Sequence, residues 1–114
     1  MKWNIEYIKE AQRDLKRLDP HNRKLILKAI EKTAEHPLPP PEGIGKPLGN
    51  KAGSSLSGYY KIKLRALGYR VVYQLVTEGE RMRIIVISIR DDEMVYKEAE
   101  RRIHGLMISI HDRT

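Results

Sequence analysis

Four cations fall within ten residues of this chain: Lys61, Lys63, Arg65 and Arg70, with no carboxylate among residues 61–70. Ammonium and guanidinium groups gathered without nearby acids make a concentrated positive field, and such a field suits phosphate oxygens. The spacing decides whether the groups share a face. Lys61, Lys63 and Arg65 alternate with Tyr60, Ile62 and Leu64, so an extended strand puts the cations on one side and the apolar groups on the other. Ala66-Leu67-Gly68 reads as a turn, with Gly68 free to take positive φ. Tyr69-Arg70-Val71-Val72-Tyr73-Gln74 then alternates again. With Ala66-Leu67 as a two-residue loop, Lys63 stands opposite Arg70 and Lys61 opposite Val72. A bulge at Gly68 would shift that pairing by one residue. Like charges directly opposite one another are destabilising. A solvated basic face is the alternative reading of the same residues.

The rest of the chain has to position this hairpin. Residues 2–7 alternate, with Trp3, Ile5 and Tyr7 on one side, and read as a first strand. Ile8, Ala11, Leu15 and Leu18 recur at helical spacing over residues 8–18. Asp19 is placed to cap a second helix and Pro20 suits its first position. Leu25, Ile26, Ala29, Ile30 and Thr33 carry that helix to about Glu35. Two helices so close in sequence make an antiparallel pair whose apolar seam can lie on a sheet. The run from Pro37 to Ser57 reads as a long Pro/Gly/Ser connection. Lys46 and Lys51 lie in it as solvated lysines that could extend a basic surface. After the hairpin, Thr77-Glu78-Gly79-Glu80 is a turn and residues 83–89 a third strand, whose near-continuous Ile84-Ile85-Val86-Ile87 suits a strand covered on both faces. Asp91-Asp92 can cap a last helix from about Glu93 to Ile103. Residues 104–114 read as a tail, a short strand or a partner-binding segment. Trp3, Tyr69 and Tyr73 read as core. The expected fold class is α+β, one domain over residues 1–114: an N-terminal strand, a two-helix hairpin, an antiparallel three-strand meander and a C-terminal helix.

Composition narrows the function. The chain has 114 residues, 22 Lys+Arg against 15 Asp+Glu, and a net charge of +7. A basic chain of this size suits nucleic acid or an acidic partner. It has no cysteine, which excludes a disulfide framework and a thiolate metal site. No apolar run approaches the ~20 residues that span a bilayer, and Met1-Lys2-Trp3-Asn4-Ile5 lacks a signal-peptide core. The expected location is the cytoplasm, without membrane contact. No metal and no cofactor is expected.

Tyr60-Lys61-Ile62-Lys63-Leu64-Arg65 followed by Gly68-Tyr69-Arg70-Val71-Val72-Tyr73-Gln74 resembles the RelE family of toxins. The resemblance continues at Val86-Ile87-Ser88-Ile89, at Val95-Tyr96-Lys97-Glu98-Ala99 and to Arg101-Arg102-Ile103. Glu10, Ala11, Asp14, Leu15 and Leu18 resemble the family's first helix, so about residues 2–103 are covered. The resemblance implies a ribosome-dependent messenger-RNA endonuclease that cuts in the ribosomal A site and is silenced by a cognate antitoxin. It carries the family's catalytic set onto Lys61, Lys63, Arg70, Arg90 and Tyr96. Arg90 lies six residues before Tyr96, as in the family, although the segment before it is about two residues shorter and Asp91-Asp92-Glu93 replaces a basic run. Arg65, Tyr59 and Lys51 are expected to contact substrate.

Cutting RNA through its own 2′-hydroxyl requires a proton acceptor, charge stabilisation on the phosphorane and assistance to the departing 5′-oxygen. The histidines, His21, His36, His104 and His111, lie outside the hairpin and are assigned no catalytic part. Crowding by cations disfavours a lysine's charged form, so Lys63 beside Arg70 is the expected acceptor. Arg70 and Lys61 would clamp the phosphate, Arg90 would serve the leaving oxygen, and Tyr96 would stack on a base or share the proton. Two alternatives compete: a gyrase-directed toxin of the related ParE type, and a non-catalytic RNA- or ribosome-binding module.

Overall fold

The structure, a computed structural model, describes residues 2–49, 56–89 and 92–112. In chain order it has β1 (Asn4–Tyr7), α1 (Lys9–Arg17), α2 (Pro20–Ala34), β2 (Lys46–Gly49), β3 (Leu56–Leu64), β4 (Tyr69–Val76), β5 (Arg81–Ser88) and α3 (Asp92–Asp112). The strands form one sheet in the order β1-β5-β4-β3-β2. β3, β4 and β5 are the antiparallel meander. β1 joins β5 in parallel and β2 joins β3 in antiparallel fashion. The α+β reading holds.

The helix pair covers one face. Asp19 Oδ1 accepts from the Asn22 N–H at 2.9 Å, and Pro20 takes the first helical position of α2, as its spacing predicts. Ile26, Ile30 and Ala34, one helical stripe, are fully buried against Val71, Tyr73, Met82, Ile84 and Ile87. Each buried isoleucine contributes ~1.5–3 kcal/mol. Trp3, Tyr60, Ile62, Leu64 and Tyr69 complete this layer.

The opposite face carries α3. Val95 and Ala99 are buried on Leu48, Val72, Ile85 and Val86, with Tyr96 and Ile103 packed at the margin. A β-bulge explains the apolar run in β5. Val72 pairs with Val86 but Tyr73 with Ile84, leaving Ile85 as the extra residue. Ile85 and Val86 thus both serve the α3 face, while Ile84 and Ile87 serve the helix pair.

Two expectations need correction. The connection from Pro37 to Ser57 contains a strand, β2, and β3 already begins at Leu56. Pro47 and the flanking glycines hide β2 in the sequence, yet an edge strand tolerates proline because one side of its ladder needs no donor. The segment leading into β2 is held close: the Tyr73 hydroxyl donates to Pro37 C=O at 2.9 Å, and a β-carbon on Gly45 would lie 2.2 Å from that oxygen. Secondly, α3 does not stop at Ile103 but runs to Asp112, so residues 104–112 are helical rather than a frayed tail or strand. A helix already under way gains one backbone bond per added residue without a new nucleus, and this outweighs the ~1 kcal/mol cost of Gly105.

Candidate functional site

The hairpin register is the one the two-residue loop predicts. Lys63 pairs with Arg70 and Lys61 with Val72. The turn closes with Gly68 N–H donating to Arg65 C=O at 3.3 Å, with Gly68 at φ 72°. No bulge intervenes at Gly68; the irregularity lies on the other side of β4. Lys61, Lys63 and Arg70 share the face of Val72, which is the α3 face, since strand side chains alternate.

β2 adds to this stripe. Lys46 pairs in register with Lys61. The residue read as a solvated loop lysine is therefore a strand residue opposite a cation of the candidate set, with β-carbons roughly 5 Å apart. Two like-charge cross-strand pairs, Lys46 with Lys61 and Lys63 with Arg70, stand side by side on β2, β3 and β4. Thr33, Ile44, Lys46, Lys61, Ile62 and Lys63 line a shallow depression at the β2–β3 edge of the sheet, reaching α2, and a second, lined by Lys63, Leu64, Arg65, Gly68, Tyr69 and Arg70, lies beside the turn.

α3 brings the phenol. The Lys61 ammonium donates to the Tyr96 hydroxyl at 3.0 Å and lies 5.8 Å from the ring centroid, so it meets the hydroxyl end rather than the ring face. Tyr96 also packs at the edge of the α3 core, so the anchoring and the polar contact coexist. Residues distant in sequence, on β2, β3, β4 and α3, thus converge: Lys46, Lys61, Lys63, Arg70 and Tyr96. Arg65 sits exposed in the adjacent turn. Tyr59, two residues along β3, is half-buried; burial raises its phenol pKa and the Arg83 charge opposes that rise. At that end of the sheet one carboxylate, Glu6, meets two guanidiniums, Arg81 at 3.2 Å and Arg83 at 3.5 Å. Arg90 and Lys51 lie outside the described residues. Among the described residues no group of three or more His, Cys, Asp or Glu could hold a metal ion.

Sequence reasoning missed a second constellation. Past the end of β1, two backbone groups of β5 find side-chain partners: Asp14 Oδ2 accepts from the Ile87 N–H at 2.9 Å, and Arg102 Nη1 donates to Ile85 C=O at 2.8 Å. Arg102 also clasps Asp14 with both terminal nitrogens, at 2.7 and 3.1 Å, and reaches Glu98 with Nε at 2.6 Å. Asp14 and Arg102 are both buried. A signal was present: Asp14 stands on the inward stripe of Ala11, Leu15 and Leu18, and Arg102 on that of Val95 and Ala99.

The chemistry open to the first site is anion binding joined to proton transfer. Guanidinium and ammonium groups neutralise phosphate charge, and a phenol touching an ammonium can give or take a proton beside it.

Comparison with known proteins adds the following. Residues 5–96 match the family described as the ParE toxin of the type II toxin–antitoxin system, parDE. A putative RelE-like toxin protein of Escherichia coli is 25% identical over 103 residues, covering 90% of this chain and 99% of that one. The mRNA interferase toxin RelE of E. coli K12 is 48% identical over 44 residues, which is 39% of this chain and 46% of that protein. The solved free-state structure of an E. coli RelE double arginine-to-alanine mutant superposes with a TM-score of 0.68 at 28% identity, covering 90% of this chain and 99% of that one.

Proposed function

We propose, from the premise that this chain belongs to the ParE toxin family of type II toxin–antitoxin systems, that it is an endonuclease that cuts messenger RNA on the ribosome. The likeness to RelE-like toxins places it in the wider RelE/ParE superfamily. The observation that carries the enzymatic reading is the Lys61–Tyr96 contact of 3.0 Å beside the Lys63–Arg70 pair. A surface that only bound RNA would need the cations but not a phenol from another element in contact with one of them.

In this reading Lys63 takes the proton from the 2′-hydroxyl, whose oxygen attacks the adjacent phosphorus. Arg70 and Lys61 hold the non-bridging oxygens as charge builds. The 5′-oxygen leaves with a proton supplied through Tyr96 while Arg90 stabilises its developing charge, giving a 2′,3′-cyclic phosphate and a 5′-hydroxyl. Arg65, Tyr59, Lys51 and Lys46 hold the flanking strand. General acid–base assistance contributes ~10²–10⁴-fold, so alignment of the message by the ribosomal A site supplies much of the remainder. A cognate antitoxin silences the toxin, as membership in a toxin–antitoxin family implies.

The family match to ParE favours a second reading, a gyrase-directed toxin. Mapping message ends after adding the protein to a cell-free translation reaction separates the two. Codon-phased cuts that require ribosomes support the endonuclease. Intact message with arrested gyrase supercoiling overturns it in favour of the second reading.

A further inference from the structure

The buried Asp14–Arg102 pair carries an inference of its own. α3 grips the sheet with a thin apolar seam, Val95 and Ala99 being its fully buried members among the described residues. Yet α3 alone supplies Tyr96, while the cations around it stand on the sheet. Something must fix how far along and at what rotation α3 lies. A slip of one residue shifts a helix by about 1.5 Å and turns it by about 100°. Either displacement would carry the pair out of the ~2.6–3.2 Å range, only about 0.6 Å wide, in which Lys61 and Tyr96 can share a proton.

Arg102 is built for that task. Its guanidinium reaches over the edge of the sheet, past the last residue of β1, to meet α1 and β5 at once. Asp14 is itself tied to β5 through the Ile87 N–H. The fork accepts one orientation, because two donors meet two oxygens of one carboxylate while a third contact falls on a backbone carbonyl. Buried pairs of this kind add little net stability over apolar residues of similar volume, and their best-attested use is to set register. Glu98 on α3 and Glu10 on α1 flank the pair, and Arg101 bridges them at 2.7 and 2.6 Å.

We propose that Asp14 and Arg102 are positioning residues for the RNA-cleavage reaction, locking α3 so that the Tyr96 hydroxyl stays on Lys61. This deepens the endonuclease reading and rests on it. Arg102 lies six residues from Tyr96, about 9 Å along the helix, and acts in this proposal only through the placement of α3.

The test is a double-mutant cycle. Arg102→Lys keeps the charge but loses the fork; Asp14→Asn keeps an acceptor for the Ile87 N–H but loses the charge. In ribosome-dependent cleavage each should lower kcat at least tenfold with KM within twofold. In a Tyr96→Phe background the same changes should cost less than threefold, since the group they position is gone. Equal losses in both backgrounds mean a purely structural pair and overturn the proposal. A second readout needs no activity. NMR of protein with labelled tyrosines should show a Tyr96-ring to Lys61 contact in the unmodified protein that weakens in Arg102→Lys while the dispersion of sheet signals persists. An unchanged contact overturns the lock. If the unmodified protein cuts no message, the endonuclease reading fails, and the NMR contact still decides whether the pair places Tyr96.

Discussion

Replacing Tyr96 by Phe separates chemistry from packing more cleanly than any other single change here. The ring stays against the α3 core, so the apolar contribution is retained. What is lost is the hydroxyl, whose oxygen accepts from Lys61 at 3.0 Å. Lys61 is only partly buried, so water can replace that partner, and the stability cost stays below about 1.5 kcal/mol. For a chain of this length that is a Tm drop of no more than about 6 °C. The activity cost is of another order. If the hydroxyl takes part in proton transfer, its removal slows cleavage ~10²–10⁴-fold, equivalent to about 3–5 kcal/mol of transition-state stabilisation. The assay is single-turnover cleavage of a message held on purified ribosomes, read by primer extension beside a thermal melt. Cleavage within threefold of the unmodified rate, with the melt barely moved, refutes the proton-transfer role and leaves Tyr96 as an anchor.

Three further outcomes follow from other contacts. Lys46→Gln should raise KM several-fold with kcat intact and reduce the salt slope of RNA binding by about one, because one phosphate contact is lost; it should also stabilise the fold by a few tenths of a kcal/mol, up to ~1 kcal/mol, at low salt by removing the repulsion opposite Lys61, as a urea melt will measure. Tyr73→Phe should cost ~1–3 kcal/mol in the same melt, since Pro37 C=O loses a buried donor at 2.9 Å. The Arg101 hydrogen bond, against burial and with help from Arg102, holds the Glu98 carboxyl at about 2, below its ordinary 4.5. A depressed carboxyl contributes fully above its unfolded value, so stability should fall as pH drops from about 4.5 toward about 2, and Glu98→Gln should flatten that part of the stability profile.

The hairpin was the most legible part of the chain. Alternation is a local property, and Tyr60, Ile62 and Leu64 could face the core only if Lys61 and Lys63 faced away. The two-residue turn then set Lys63 against Arg70 without any distant contact. The helix pair was legible for the same reason, through Asp19, Pro20 and a stripe of 3.6-residue period. β2 was not, because a four-residue edge strand containing Pro47 has no periodicity of its own and exists only by pairing with β3. Lys46 was accordingly misplaced. The length of α3 is not legible because Gly105, just past Ile103, reads locally as a helix stop, and the residues beyond it offer no clean amphipathic stripe.

Asp14 and Arg102 mark the boundary between the two kinds of information. Each stands on an inward helical stripe, which local spacing announces, but 88 residues separate them and no local rule says they meet. The residues alone determined a basic hairpin, a helix pair and the types of group available for chemistry, since these follow from nearest-neighbour geometry and composition. Which strand lies beside β5, which face receives α3, and therefore that Tyr96 touches Lys61 and Arg102 grips Asp14, were decided only by how the layers close over one another. Burial is shared among many side chains at once, and its optimum is a property of the whole fold.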